Sequence, residues 1–337
     1  MTASSPCELL AFGRRRRRTR RFGAALASAV VVAGLAACGS SNSSSNSGGI
    51  DSVTAGVIPI VDVAPIYLGK QQGFFKAKHI KVKLQPESGG AAAIPGVVSG
   101  QFQFAFGNVV SLIIARSKGL PLKMLANGDA STGKQGKDFS AVVVPKGSDI
   151  TTAKDLAGKK VSVNNLRNVG DTTVRASIRK AGGDASKVKF VEMGFPDMPA
   201  ALAKHRIDAA WVVEPFLTVA RQQGARPIAW NMVDAAPDMT VATYFTSEQT
   251  IKKDPDLVKR FTAAIRKSLA YAHDHPGKVR EVLGTYTKIK RGTAKKITLP
   301  AFPSKVNTKS VHTLADLMVH DGLIKKKPDL DALLPSS

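Results

Sequence analysis

From residue 52 onward the chain alternates between two hydrophobic periods. Residues 52–59, 80–84, 102–106 and 120–125 carry the short apolar or alternating runs of strands. Residues 64–78, 91–99 and 109–117 carry the wider spacing of helices. Pro65 falls in the first turn expected for 64–78 and Gly73 near its end, whereas Pro95 sits inside 91–99, where a proline normally removes a helix hydrogen bond. The same rhythm predicts strands at 139–144, 160–163, 188–193 and 207–212, and helices at 172–181, 199–204 and 215–223. One more strand is expected at 239–245, and beyond it the pattern turns helical, at 255–273, 278–285 and 308–322. Strands and helices taking turns over this length predict an α/β architecture, with mixed but mostly parallel sheets flanked by helices.

The first fifty residues follow another rule. Arg14 to Arg18 with Arg20 and Arg21 form a basic block, sixteen uncharged residues follow at 22–37, and the run Leu35-Ala36-Ala37-Cys38 closes the segment. A charged head, a short apolar stretch and small residues before a cut site predict a signal peptide over 1–37. The other reading is an uncleaved anchor, but sixteen residues fall short of the roughly 20 that a membrane-crossing helix needs. Leu35-Ala36-Ala37-Cys38 resembles the lipobox of bacterial lipoproteins, which implies that Cys38 is lipidated and becomes the first residue. Residues 38–50 then supply the lipidated Cys and a flexible Ser/Gly/Asn tether. Arg20-Arg21 ahead of Phe22 leaves both the general and the twin-arginine export routes open.

Cleavage after residue 37 would leave 300 residues, enough for about two domains, and a net charge of +18 against +24 for the whole chain. In that part Lys and Arg stand singly or in pairs apart from one run of three, Lys325-Lys326-Lys327. No basic motif with interleaved aromatics occurs, so nucleic acid is not an expected partner. The charge suits solubility, contact with anionic envelope polymers, or local enrichment of an anionic ligand. Cys7 and Cys38 are the only cysteines. The folded part therefore has no disulfide, thiol nucleophile or cysteine metal site, and must rest on core burial. No G-x-S-x-G, H-E-x-x-H, Walker or dinucleotide fingerprint is present, and His312 and His320, about two helical turns apart, are not expected to form a metal site. Neither catalysis nor a cofactor is expected.

Four segments, in order, carry a family pattern. The first is Ala64-Pro65-Ile66-Tyr67-Leu68-Gly69 with Gly73-Phe74-Phe75-Lys76; the second is Ser88-Gly89-Gly90-Ala91 with Val98-Ser99-Gly100-Gln101-Phe102-Gln103-Phe104-Ala105. The third runs from Asp155 to Val163, and the fourth from Arg206 to Phe216 through Trp211 and Glu214. Together they resemble the nitrate, sulfonate and taurine type of solute-binding protein for ABC importers, a group with relatives that bind thiamine pyrimidine precursors. The resemblance covers residues 52 to about 320. It departs at Gln103, where the pattern usually has an acid.

The resemblance implies a two-lobed periplasmic-binding-protein clamshell with two hinge crossings. Residues 51–140 plus 245–330 would form lobe one and residues 145–240 lobe two, with crossings near 139–144 and 240–246. A monomer tethered outside the cell membrane by its lipid would trap a small polar or anionic solute between lobes and deliver it to ABC permease subunits. A sensor or adhesin could use the same clamshell without transport. An enzyme of the pyrimidine-synthase-like branch would need a cysteine-rich motif that this chain lacks.

The ligand is expected at strand ends and helix starts, where free N–H groups and the helix dipole favour polar groups. Asp62 and Ala64 lie in the loop before the first helix, Asp62 serving either as an N-cap-type acceptor or as a ligand contact. Ser88, Gly89 and Gly90 precede another helix, as a close-approach loop or an ordinary turn. Asn108 is either a helix cap or a contact. In the second lobe Asn165, Arg167, Asp171 and Thr172 form a polar loop, with Asp171 or Thr172 capping the next helix and Arg167 free to pair an anion or stay solvated. Phe195 reads as apolar wall or core, and Trp211 as core rather than platform. Glu214, at the end of an apolar strand before Pro215, is expected at the cleft mouth, or else serves the helix start electrostatically. Asp62 and Glu214 together favour a nitrogen-bearing ligand, since a bare anion has no use for a carboxylate.

Overall fold

The computed structural model describes residues 49–335. The expected signal, Cys38 with its lipid, and most of the tether lie outside these residues. β1 (Asp51–Val57) pairs in parallel with β2 (Ile80–Pro86) on one side and β3 (Phe104–Asn108) on the other. The crossovers are α1 (Ala64–Gln71) and α2 (Gly90–Val98), so residues 51–108 are built from βαβ units. The helix expected over 64–78 stops at Gln71 because Gly73 adopts φ 73°, a left-handed turn that ends it; Lys76–Lys78 form only a tighter single turn. Pro95 lies inside α2, as the sequence placed it.

α3 (Val109–Ser117) follows, and then β4 (Leu122–Ala130), which runs five residues past its expected end at 125. Through 131–139 the chain leaves this sheet for a second one, built from β5 (Ser140–Val144), β6 (Lys160–Val163), β7 (Lys189–Glu192), β8 (Ala209–Val213) and β9 (Arg226–Ala229). Its crossovers are α4 (Val169–Lys180), α5 (Met198–Ala203) and α6 (Phe216–Gln222). α7 (Asn231–Ala235) lies on the return through 230–239, and β10 (Thr240–Ser247) re-enters the first sheet. The two passages touch where Ser131 N donates to Met239 O (2.9 Å).

The first sheet has the order β2-β1-β3-β10-β4 and the second β7-β6-β8-β5-β9. Each is mixed for the same reason. The strand arriving from the other sheet, β10 or β5, has no crossover helix to turn it round and runs antiparallel to both neighbours. β9 escaped the sequence reading because Pro227 breaks its pattern; an edge position tolerates that proline.

The rest of the chain covers the first sheet: α8 (Glu248–Lys253), α9 (Pro255–Asp274), α10 (Pro276–Val282), α11 (Arg291–Ala294), α12 (Thr308–His320) and α13 (Leu330–Leu333). α9 buries Leu257, Phe261, Ala264, Ile265, Ser268 and Leu269, a stripe at helical spacing. The Phe261 ring stacks on Phe104 of β3 at 3.6 Å. Each of its buried Leu, Ile and Phe side chains contributes roughly 1.5–3 kcal/mol, enough to fix this helix without disulfides. No helix among the described residues is long and apolar enough to cross a membrane.

Candidate functional site

A crevice separates the two sheets, walled by the ends of their strands. From the first sheet's side come Ile58, Ile60, Asp62, Phe106, Asn108 and Ala242; from the second come Asn164, Val169, Phe195, Trp211 and Val213. The cavity between the walls is small, about 20 Å³. The walls have closed on a narrow slot.

Direct bonds hold that closure. Asn164 Nδ2 donates to Ser88 O (3.4 Å), and Ser111 Oγ lies 3.0 and 3.1 Å from Asn168 Nδ2 and Oδ1. Val61 N donates to Glu214 O (3.2 Å). On the rim Arg167 donates to Gly322 O (3.0 Å), and Arg179 forks onto the two oxygens of the largely buried Asp321. Gly89 comes so near that a Cβ there would lie 2.0 Å from Asn165 Oδ1.

The floor of the slot is acidic. Asp62 (2% exposed) lies in the single turn Val61–Val63 ahead of α1 and caps no helix. Its carboxyl is within hydrogen-bonding reach of Asp129, which is fully buried on β4. Burial pushes Asp62 up to about 7, against the pull of the Asp129 hydrogen bond. Asp129 is driven well above the usual carboxylate range, first by burial and then by the Asp62 charge. Asp129 thus holds the proton it shares with Asp62, and the pair carries at most one negative charge, which it loses as pH falls through about 7. Asp138 adds repulsion from 131–139, but its own oxygens are bonded by Ser131 Oγ and Thr132 N (both 2.9 Å). Asp62 Oδ2, both Asp129 oxygens, Asn164 Oδ1, Thr243 Oγ1 and Tyr244 Oη are buried without a hydrogen-bond partner from neighbouring side chains or backbone. One shared proton satisfies one bond in that set.

The expected site residues divide by where the fold puts them. Asp62 and Asn108 line the slot, and Asn108 also caps α3 by accepting from Ser111 N (2.9 Å). Ser88, Gly89 and Asn165 meet at its mouth, where Asn164 Nδ2 also contacts Asn165 Oδ1 (3.3 Å). Gly90 starts α2, with Gly107 packed so closely that a Cβ would lie 2.7 Å from its Cα. Ala64 is fully buried at the first position of α1. The cap expected at Asp171 or Thr172 is instead Asn168; Asp171 sits three residues on, accepts from Asn168 N and Arg167 N, and completes a capping box. Thr172 Oγ1 donates to Asn168 O (2.9 Å) inside the helix. Arg167 is exposed on the rim with φ 53°, its guanidinium turned to Gly322.

Glu214 is the sharpest difference from expectation. It is 1% exposed and away from the slot's walls, accepting from Thr218 N (3.0 Å), Thr218 Oγ1 (2.7 Å) and Thr298 N (3.2 Å). Burial still raises its pKa. It ties α6 to the segment around Thr298, the structural role rather than the cleft-mouth one. Trp211 and Phe195, in contrast, form wall as well as core: Trp211 Nε1 donates to Ser140 Oγ (2.8 Å), and the two rings meet edge to face at 5.2 Å. Sequence reasoning missed Asp129 and Phe106. An acid following apolar strand residues was the available signal at Asp129, hidden because Asn127-Gly128 reads as a turn.

Residues 60–279 match the model of the NMT1/THI5 like family. A formylaminopyrimidine-binding protein from Halalkalibacterium halodurans is 23% identical over 225 residues, and the match spans 65% of this chain and 65% of that protein's length. Among solved structures, the zinc-bound ligand-binding component of an ABC-type import system from Staphylococcus aureus superposes with TM-score 0.73 at 16% identity, covering 85% of this chain and 97% of that one. The alkanesulfonate-binding protein SsuA from Xanthomonas axonopodis pv. citri, bound to MOPS, gives TM-score 0.72 at 14% identity over 85% and 98% of the two chains. The periplasmic nitrate-binding protein NrtA from Synechocystis PCC 6803 gives 0.71 at 13% identity over 85% and 86%. The chain belongs to the NMT1/THI5-like family and has the two-lobed fold of these binding proteins.

Proposed function

We propose that this protein is the solute-binding component of an ABC importer, working outside the cytoplasm and tethered to the membrane through a lipid on Cys38. It captures one small polar solute between its lobes and presents the closed form to a permease. The observation that carries this reading is the slot itself: two sheets joined by two passages, closed by cross-lobe bonds over buried polar atoms that lack partners. Such atoms are costly to leave unmatched, at roughly 1–3 kcal/mol each, and a solute would satisfy them. The family and the fold support the same reading, as does the lipobox-like Leu35-Ala36-Ala37-Cys38. Sulfonates, nitrate, taurine and thiamine-pyrimidine-like compounds are the starting set of solutes.

Thermal unfolding against that set is the test. A solute at a hundredfold over its Kd stabilises by roughly 2.7 kcal/mol, a shift of several degrees. Stabilisation by one class marks capture. If no compound in the set moves the transition, the importer reading loses its main support.

A further inference from the structure

The strands of the first sheet have two ends, and the slot uses only one of them. Ile58 and Ile60 follow β1, and Asn108 closes β3, on the slot's wall. At the other end lie the starts of β1, β2, β3 and β4 and the finish of β10, and there the chain enters from residue 50. Short contacts make this end one surface. Asp51 N donates to His79 O (2.9 Å), Arg260 of α9 donates to Lys78 O (2.9 Å), and Glu248 N at the start of α8 donates to Pro121 O (2.8 Å). The turns and helices that finish this end carry Lys76, Lys78, Lys118, Lys252, Lys253 and Lys259, all exposed. None of these lysines forms an ion pair among the described residues. The acids around them are already engaged. Arg260 pairs with Asp51 and Asp256, and Arg116 with Glu248, each at 2.6 Å; Asp254 accepts from Leu257 N (2.9 Å) as the cap of α9. Exposed Asp329 and Asp331 come only at the border beyond β4, where Asp331 O accepts from Lys123 Nζ (3.4 Å). Inside that border the charge left facing water is positive. Ile50, at the point of entry, is 63% exposed, more than any other large hydrophobic side chain described.

We propose that this end of the first lobe is a docking surface for an anionic lipid bilayer, the one that would hold the lipid on Cys38. Docking goes beyond solute capture and rests on the tether proposed for Cys38. Residues 39–49 carry no charge and, fully extended, span at most about 40 Å. Such a tether holds the fold near the bilayer without binding it, and it joins the fold at the end where the lysines gather. Attraction to lipid head groups acts over roughly 8–10 Å in physiological salt, so these lysines work only on a surface that the tether keeps within reach. Each one near an anionic surface strengthens contact by a factor of roughly five. Ile50 is placed to enter the boundary between head groups and acyl chains. The slot lies at the opposite end of the same strands, so docking leaves it uncovered.

The test is acetylation of the purified full chain on vesicles of phosphatidylcholine alone or mixed with phosphatidylglycerol, read at each lysine by mass spectrometry. The basic head at Arg14 to Arg21 also attracts anionic lipid, so the place of shielding, rather than total binding, is the readout. Lys76, Lys78, Lys252 and Lys253 should be shielded at least roughly threefold on the anionic vesicles. Lys146 and Lys204, exposed on the second lobe, should react alike on both, and high salt should erase the difference. Changing Lys76, Lys78, Lys252 and Lys253 together to Glu should remove the shielding of the unaltered Lys118 and Lys259. Because the altered side chains are exposed, the variant should keep its unfolding temperature. Equal shielding of both lobes, equal labelling on both kinds of vesicle, or shielding of Lys118 and Lys259 that survives in the variant overturns the docking surface. Soluble polyphosphate that shields the same lysines as strongly as lipid at matched charge also overturns it, in favour of an envelope polymer. The mass of the exported protein's first residue reports the lipid on Cys38 separately, so tether and surface fail independently.

Discussion

At the scale of single residues, the protein keeps several acids where water cannot reach them. Asp62 carries a folded pKa of about 7, raised by burial from an unfolded value near 4. A raised carboxyl binds its proton more tightly in the folded state. Its contribution to stability is therefore complete below about pH 4 and is lost as pH rises through about 7. Asp62→Asn removes that dependence. Chemical denaturation should find the variant gaining on the wild type by roughly 2–4 kcal/mol between pH 5 and pH 8. A difference that is flat with pH would place the Asp62 charge in water. Asp62 was legible in the sequence as a lone acid before a helix. Asp129 was not, because the strand that carries it continues through Asn127-Gly128, residues that ordinarily stop one. Gly128 is there for packing: a Cβ would sit 2.5 Å from the Phe106 ring and 2.9 Å from Ala242 O. At Glu214 the sequence left two roles open, for a related reason. Sequence placed it correctly at the end of a buried strand, but its acceptors are filled by Thr218 and by Thr298, 84 residues further on, a contact that no local pattern carries.

At the scale of elements, helix and strand positions followed from periodicity, and the errors fall where a neighbour overrides it. α4 begins at Val169, three residues before its expected start, because Asn168 with Asp171 closes a capping box. The same Asn168 also reaches across to Ser111 on α3, so one residue both starts a helix and holds the lobes together. Gly170, in the first turn, lets α4 lie flat on β8: a Cβ would meet the Trp211 ring at 2.5 Å and Val163 at 2.9 Å. Gly170→Ala should destabilise the protein by roughly 1–3 kcal/mol, the usual cost of overpacking, and should shift the fluorescence of Trp211, read in a Trp230→Phe background. An unperturbed Trp211 signal with wild-type stability would show that α4 can lift away freely. The slot's width depends on this packing, since Trp211 and Val169 both stand on its wall.

At the scale of the molecule, two similar mixed sheets are joined by two passages of chain and meet over a slot that is almost shut. Alternating periodicity made the α/β class readable, and the resemblance of four segments made two lobes an expectation. The closed arrangement was not readable, because it rests on pairs such as Arg179–Asp321 and Asn164–Ser88, separated by 142 and 76 positions. On the proposed function a solute enters only when these lobes part. Ser88→Cys and Asn165→Cys, introduced together with Cys7→Ser and Cys38→Ser, place the only two thiols on opposite lips of the slot. Joining them with a short bis-maleimide before adding the stabilising solute holds the lips together. The joined protein should lose the solute's thermal shift while the unjoined double-cysteine protein keeps it. An equal shift in both would contradict it, since the solute would then be binding somewhere that needs no opening.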